Sequence, residues 1–354
     1  MRVGPPIMMT FILVSTILGA GCIDDEQETV EITDMLGRTV KVPSKVDSII
    51  GIEAGALRLI VYMQHSDKVV GIEENEKSTG AGGSAKPYIF ANPDLLELPT
   101  IGPMHGGDAE LIVARKPDVI FWTSTDVTKA DDLQAKTMIP VVGLNYGDLN
   151  KNREDLYDSL SLIGEIMGNP ERAREVQNFL EGRIELLDNM TRELPNPPSC
   201  YVGGIGYRGA HGVLSTEPAY SSLKFVNGNN VASSVGMEHA FIDKEKLIEW
   251  NPELILIDGG GLGFSLEDLG DGSYDSIDAV RDGNIHGVLP YNWYTTNFGT
   301  VLGNSFYIAS VIYPESFPEL DPVEETDDIY EFLVGARVYA DMAEEFGGFR
   351  KLDV

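Results

Sequence analysis

Cysteine is nearly absent: 354 residues hold only Cys22 and Cys200, with no Cys-x-x-Cys pair. That excludes a disulfide-stapled framework and a cysteine-rich zinc module. Histidine is almost as scarce. The five (His65, His105, His211, His239, His286) are scattered, without His-x-His or His-Glu-x-x-His spacing, so a preassembled zinc centre has little to build on. Positive charge is short as well, 26 Lys and Arg against 56 Asp and Glu, a formal net charge of −30. Such a surface repels phosphate backbones and excludes nucleic acid as a partner, although charges inside a cleft can still oppose the global field. What remains, 43% hydrophobic and 8% aromatic, is ordinary for a folded protein, and the length suffices for two domains with their own cores.

The apolar run at residues 7–18 is too short for a comfortable membrane span, follows Arg2, and leads into Gly19-Ala20-Gly21-Cys22. Small residues before a cysteine read as a cleavage site. The pattern resembles a lipoprotein signal over residues 1–22, with Cys22 lipidated; an uncleaved N-terminal anchor is the alternative. Residues 23–31 then read as an acidic tether. The chain is expected to be extracytoplasmic and anchored to the outer face of the cytoplasmic membrane.

Residues 170–194 carry the clearest helical period, with Val176, Phe179, Leu180, Ile184, Leu187 and Met190 on one stripe. Asn169 can cap this helix, Pro170 suits its first position, and the Pro195–Pro198 run ends it. Strand and helix patterns alternate on either side. A hairpin is expected at 30–42, strands at 48–52, 69–72, 119–122 and 141–144, and a long functional loop at 77–103. Beyond the helix, strands are expected at 200–205, 254–257 and 285–289, and helices at 244–249, 276–280, 303–312 and 327–346. The pattern predicts an α/β protein of two lobes with parallel-type sheets covered by helices, joined by a single long α-helix. The lobes are expected at 32–168 and 196–354, with the connecting helix at 169–195. An internal echo supports two related lobes: DAELIVARKPDVI at 108–120 and DKEKLIEWNPELI at 243–255 share Asp, Glu, Pro and an acidic residue at matching offsets.

DMLGRTVKVP at 34–43, DKVVG at 67–71, KPDVI at 116–120 and AVRDGNI at 279–285 together resemble the iron-siderophore and cobalamin binding proteins of ATP-driven importers. The resemblance implies a ligand clasped between the lobes, a permease dimer with its ATPases as partner, and a monomeric carrier with no cofactor of its own. It implies that Glu110 and Glu245 dock on the permease and that Met104 and His239 face the ligand from opposite lobes. Neither position is Phe, Tyr or Trp, which disfavours a flat tetrapyrrole. An iron chelate is the expected ligand; cobalamin, haem or a bare metal ion are the alternatives.

Ligands bind beyond the carboxyl ends of parallel strands. That rule collects Glu53, Glu73, Glu74, Thr123, Ser124, Asn145 and Tyr146 from the first lobe, with Trp122 and His105 beside them. From the second it collects Tyr207, Arg208, His211, Asp258, Tyr291, Trp293 and Tyr294. Phenolate and carboxylate oxygens suit a hard ferric centre, aromatic faces suit an organic chelate, and Arg208 suits an anionic group. An enzyme reading rests on Gly204, Gly206 and Gly209, a GxGxxG after a strand, but the following residues offer Gly and Pro in place of a helix. Gly259-Gly260-Gly261-Leu262-Gly263 reads as a mobile loop.

If Cys22 is the anchor, Cys22→Ser should move the protein from the membrane fraction to the soluble fraction. Retention at the membrane would point to an uncleaved helix instead.

Overall fold

The computed structural model describes residues 28–78 and 85–354; the candidate signal, Cys22 and residues 23–27 of the tether lie outside them. Strands β1 (Thr29–Thr33) and β2 (Thr39–Pro43) form the expected antiparallel hairpin. Its turn is organised by buried Asp34, which accepts from the Leu36 and Arg38 amides and pairs with the Arg38 guanidinium at 2.6 Å. Asp34 also accepts from Gly143 N at 3.0 Å, so the turn motif clips the hairpin onto the far strand of the first sheet.

That sheet is β3 (Ile49–Ile52), β4 (Val119–Thr123) and β5 (Val141–Leu144), all parallel and in the order β3-β4-β5. The strand expected at 69–72 is reduced to two isolated bridges, Val69 with Ile49 and Ile72 with Thr100. Helices α1 (Ala56–Tyr62), α2 (Pro87–Ala91), α3 (Ala109–Arg115), α4 (Val127–Thr137) and α5 (Arg153–Ile166) accompany it. The stretch 77–103 is thus not one open loop. Lys86, wholly buried, sends its ammonium to the carbonyls of Asn75 (3.0 Å) and Glu76 (2.6 Å), and Pro87 starts α2.

Helix α6 (Pro170–Thr191) is capped by Asn169 as expected and ends three residues before residue 194. Its 22 residues span about 33 Å at ~1.5 Å per residue. Val176, Leu180, Ile184 and Leu187 are buried, and Phe179 stacks on Phe332 at 3.9 Å between ring centroids.

Beyond it come β6 (Ser199–Gly203), β7 (Ser215–Thr216), α7 (Ser221–Lys224), β8 (Asn229–Asn230), β9 (Ala240–Phe241), α8 (Lys244–Trp250) and β10 (Leu254–Asp258). Then follow α9 (Leu262–Leu269), α10 (Asp278–Arg281), β11 (Ile285–Val288), α11 (Phe298–Ile312), α12 (Pro322–Val334), α13 (Tyr339–Phe346) and β12 (Arg350–Lys351). The second sheet runs β12-β11-β10-β6-β8, parallel except for β12. The single helix expected at 327–346 is two, because Gly335 at φ 93° closes α12 in the left-handed conformation. The glycine run at 259–263 is a tight entry into α9: a side chain at Gly261 would meet the His211 and Gly204 carbonyls at 2.2 and 2.3 Å.

The echo is structural. Helices α3 and α8 each have seven residues, an Asp N-cap (Asp108, Asp243) and a left-handed C-cap (Lys116, Asn251), and each leads into a central strand. The acidic residue after each helix, Asp118 or Glu253, clasps the first strand of its own lobe through Ser48 N (2.9 Å) or Ser199 N (2.8 Å).

The main core is continuous across both halves, from Ile32 to Phe346, with separate clusters around Ile120 and around Ile255. Helix α12 packs back on α1 and α2, so α11 and α12 brace the seam alongside α6. Cys200 is free and buried, its thiol pushed up to about 12 by burial. Among the described residues, no helix is long and apolar enough to cross a membrane.

Candidate ligand-binding cleft

A cavity of 370 Å³ lies between loops of the first half and the carboxyl ends of β6, β10 and β11 in the second. Asn75, Ala85 and Met104 line it from the first half. Gly206, Arg208 to Ala210, Asp258, Gly260, Pro290 and Asn292 to Thr295 line it from the second. An opening of 390 Å³ on the other side of the 291–296 segment is walled by Asp148, Glu217 and Glu238 with Lys151 as its one basic side chain, an acidic lining suited to no anion. A groove of 540 Å³ around Tyr220, Lys224 and Met237 adjoins that second opening.

The wall segment of the first cavity is held from the opposite half. Arg58 on α1 is wholly buried and donates to Thr296 O (2.9 Å), Trp293 O (2.9 Å), Tyr294 O (3.4 Å) and the Tyr146 hydroxyl. The Tyr146 hydroxyl donates in turn to Thr296 O at 2.6 Å, and Asn297 Nδ2 donates to Ala85 O at 2.8 Å. The faces of Tyr88 and Tyr146 lie 4.9 and 5.6 Å from the guanidinium carbon. Tyr294 (φ 46°) and Thr295 (φ 65°) both occupy the left-handed region, which costs on the order of 1–3 kcal/mol each and persists only under such restraint.

Tyr294 donates its hydroxyl to Glu73 at 2.7 Å. Glu73, buried, also accepts from Glu53 N (2.9 Å) and Gly106 N (3.3 Å); burial pushes its carboxyl up. Burial and the Glu73 charge push the Tyr294 phenol far above its ordinary value. The expected phenolate donor is thus hydrogen-bonded to Glu73. The Glu53 carboxylate meets His105 Nδ1, and the exposed His105 ring lies 6.1 Å from Tyr294.

Tyr207 is exposed and stacks on His239 at 4.3 Å, with Phe241 edge-on to both. His239 Nε2 pairs with Ser215 Oγ at 2.8 Å, and His211 Nε2 with Tyr207 O at 2.7 Å. This aromatic group flanks Arg208, whose guanidinium carbon is 5.4 Å from the Tyr207 ring. The strand end thus presents Arg208 to the cavity while keeping Tyr207, His211 and His239 beside it.

Seven of the eleven expected contacts do not line the cavity: Glu53, His105, Tyr207, His211 and His239 stand beside it, and two fall elsewhere. Trp122 is buried in the cluster behind the first sheet, and Tyr291 packs edge-on against Tyr220 at 5.5 Å; neither lines the cavity, because packing took up both rings. Met104, Arg208, Trp293 and Tyr294 are brought together on the wall. Sequence reasoning missed Arg58, although one cation in the apolar run ALRLIVYM must find buried acceptors. No helix follows Gly209, so the glycine run forms no dinucleotide cradle. Glu110 and Glu245 are exposed in the first turns of α3 and α8. Among the described residues, no three of His, Cys, Asp and Glu group so as to hold a metal ion.

Two α/β lobes, a single crossing helix and a cleft at the strand ends define a bilobal solute-binding protein. The chain belongs to the periplasmic binding protein family, whose model matches residues 54–286. It is 23% identical over 329 residues to the molybdate-binding protein MolA of Haemophilus influenzae, covering 85% of this chain and 89% of that one. The structure of MolA bound to molybdate superposes with a TM-score of 0.68 at 20% identity, covering 87% and 98% of the two chains. A periplasmic solute binding protein of Veillonella parvula gives 0.70 at 19% identity over 90% and 97%. CeuE of Helicobacter pylori, in a complex with nickel and histidine, gives 0.60 at 18% identity over 89% and 99%.

Arg58→Met keeps the stem and removes the donor to three carbonyls. Denaturant unfolding should show a loss on the order of 3 kcal/mol, at about 1 kcal/mol or more per stranded group. Arg58→Lys should not restore it, because one ammonium cannot fork to both sides of the segment. A loss below about 0.5 kcal/mol would remove Arg58 as the tie.

Proposed function

We propose that this chain is the extracytoplasmic receptor of an ATP-driven importer and captures a compact anionic metal species in the 370 Å³ cavity. One observation carries the reading: Arg208 is the cation on the cavity wall and is steadied by a ring rather than spent on a carboxylate. Arg208 is exposed at the cavity mouth, and a local cation there can oppose the field of the distant acidic surface. A small ferric chelate comes first, because Trp293 and Met104 add apolar surface for an organic body. A metal oxyanion is the second source of the same chemistry, favoured by the likeness to MolA and by a volume near the lower end for ligand pockets.

Delivery would use Glu110 and Glu245, exposed at matching places on the two lobes, as docking points for a permease dimer with its ATPases. Cys22 would tether the carrier to the membrane. Closure would be a small rocking of rigid lobes about α6, further limited by the Arg58 tie.

Elemental analysis and mass spectrometry of ligand recovered with the purified protein should find iron in a small carboxylate or hydroxamate chelate. Titrations with ferric citrate, molybdate and haem, followed by tryptophan fluorescence, separate the two sources. Trp293→Ala should cost ~1–3 kcal/mol of binding. A response to haem alone would overturn the compact-anion reading.

Replacing Glu110 and Glu245 together by Ala should abolish uptake into cells while ligand affinity stays within about 1 kcal/mol, roughly fivefold. Collapse of ligand binding in that variant would reassign both residues.

A further inference from the structure

We infer that Asn75 is the first half's hydrogen-bond donor to the captured anion, and that Lys86, out of the ligand's reach, is the residue that positions it. This rests on the anionic-ligand reading above. Among the described residues, the first half gives the cavity only Asn75, Ala85 and Met104. Of these, Asn75 alone has a polar side chain, and it is only half-buried. A carboxamide offers two N–H donors and no charge to repel an anion. Arg208, exposed at the mouth, belongs to the second half. The anion is thus held by one polar group from each half.

Asn75 sits on a turn pinned at both ends. Residues Glu74–Lys77 form a single 3₁₀ turn. Before it, Glu73 accepts from Glu53 N, Gly106 N and the Tyr294 hydroxyl, and Glu74 N donates to Gly102 O at 2.9 Å. After it, the Lys86 ammonium donates to the carbonyls of Asn75 (3.0 Å), Glu76 (2.6 Å) and Ser78 (3.4 Å). An ammonium has three N–H groups, so these carbonyls use all of them. Its charge is answered by the Glu76 carboxylate at 3.9 Å, which also accepts from the Tyr88 hydroxyl at 2.8 Å. Lys86 is 0% exposed, so it acts on the cavity only through the turn. Its neighbour Ala85, also on the wall, is tied by its carbonyl to Asn297 of the other half.

The charged groups facing Lys86 are Glu76 on the turn, Arg58 on α1 and Glu345 on α13, with Tyr88 of α2 beyond Glu76. Burial pulls the ammonium down to about 8; Arg58 adds to the fall, while Glu76 and Glu345 oppose it. The sign follows. Below about pH 8 the group is charged and grips all three carbonyls; above it the neutral amine has two N–H groups and releases one. Anion binding through Asn75 therefore weakens as the pH rises through that value.

The test is calorimetric titration of the full chain with sodium molybdate, and separately with ferric citrate. At about pH 7.5, Asn75→Ala should bind roughly tenfold more weakly than wild type, as for one hydrogen bond to a charged group. Asn75→Asp should lose about a hundredfold, because a carboxylate there repels the anion. Lys86→Met should match Asn75→Ala, and the double variant should lie within about twofold of either, because both changes remove the same contact. Between about pH 7.5 and 9.5, wild type should lose roughly fivefold more affinity than Asn75→Ala, a comparison that tests Lys86 even where Lys86→Met does not fold. Both Asn75 variants binding within about twofold of wild type would overturn the inference and leave the anion reading in place. Losses that multiply in the double variant, or equal pH profiles for wild type and Asn75→Ala, would overturn the role of Lys86. If wild type binds neither anion at either pH, the anion reading falls and the role of Asn75 with it.

Discussion

A buried guanidinium with no carboxylate partner fixes the geometry on which the cleft depends. Arg58 sits inside an apolar helix, and taking its charge from water is affordable only because three backbone carbonyls, a tyrosine hydroxyl and two ring faces receive it. Those carbonyls belong to the segment that turns left-handed at Tyr294 and Thr295 and puts Trp293 on the cavity wall. The same bonds join the two halves of the chain. Support of the wall and restraint of lobe motion are therefore one interaction seen from two sides.

The seam is stiffer than a single helical strut would make it. Helix α6 crosses once, but α11 and α12 return, Arg183 pairs with Glu325 at 2.7 Å, and Asn92 donates to Val334 O at 3.2 Å. The main core runs through both halves without a break. A ligand in such a cleft gains from a site that is largely formed in advance, since little conformational freedom is left to lose on capture. The duplicated unit serves a different purpose. An Asp cap, a seven-residue helix, a left-handed exit and a clasp onto the lobe's first strand recur, so the first-turn glutamates stand in matching exposed settings on rigid supports.

Charge is arranged at two scales. The whole chain carries −30, which sets solubility and repels polyanions. Within the cavity the balance is one arginine against one buried acid whose proton is loosely held near neutrality. Burial, with the Glu73 charge beside it, pushes the Tyr294 phenol far up, and burial does the same to Tyr291.

The sequence by itself determined the α/β alternation, the hairpin, the long helix and the echo. Each rests on local chemistry: a 3.6-residue stripe, an Asp cap with Pro exit, and Asp34 with Gly37 in a turn. The topological rule for strand ends also placed Asp258, Arg208 and Trp293 near a cleft. Only the tertiary structure decided which side of each residue mattered. Within seven residues, Trp293 faces the cavity and Tyr291 packs on Tyr220, and no period distinguishes them. Lys86 turned a loop into a helix start by finding buried carbonyls about ten residues back. Tyr294 meets Glu73 across 221 positions, and Arg58 meets Trp293 across 235. Such partners are chosen by how the lobes pack, because a buried polar group takes whichever acceptor the fold brings within reach.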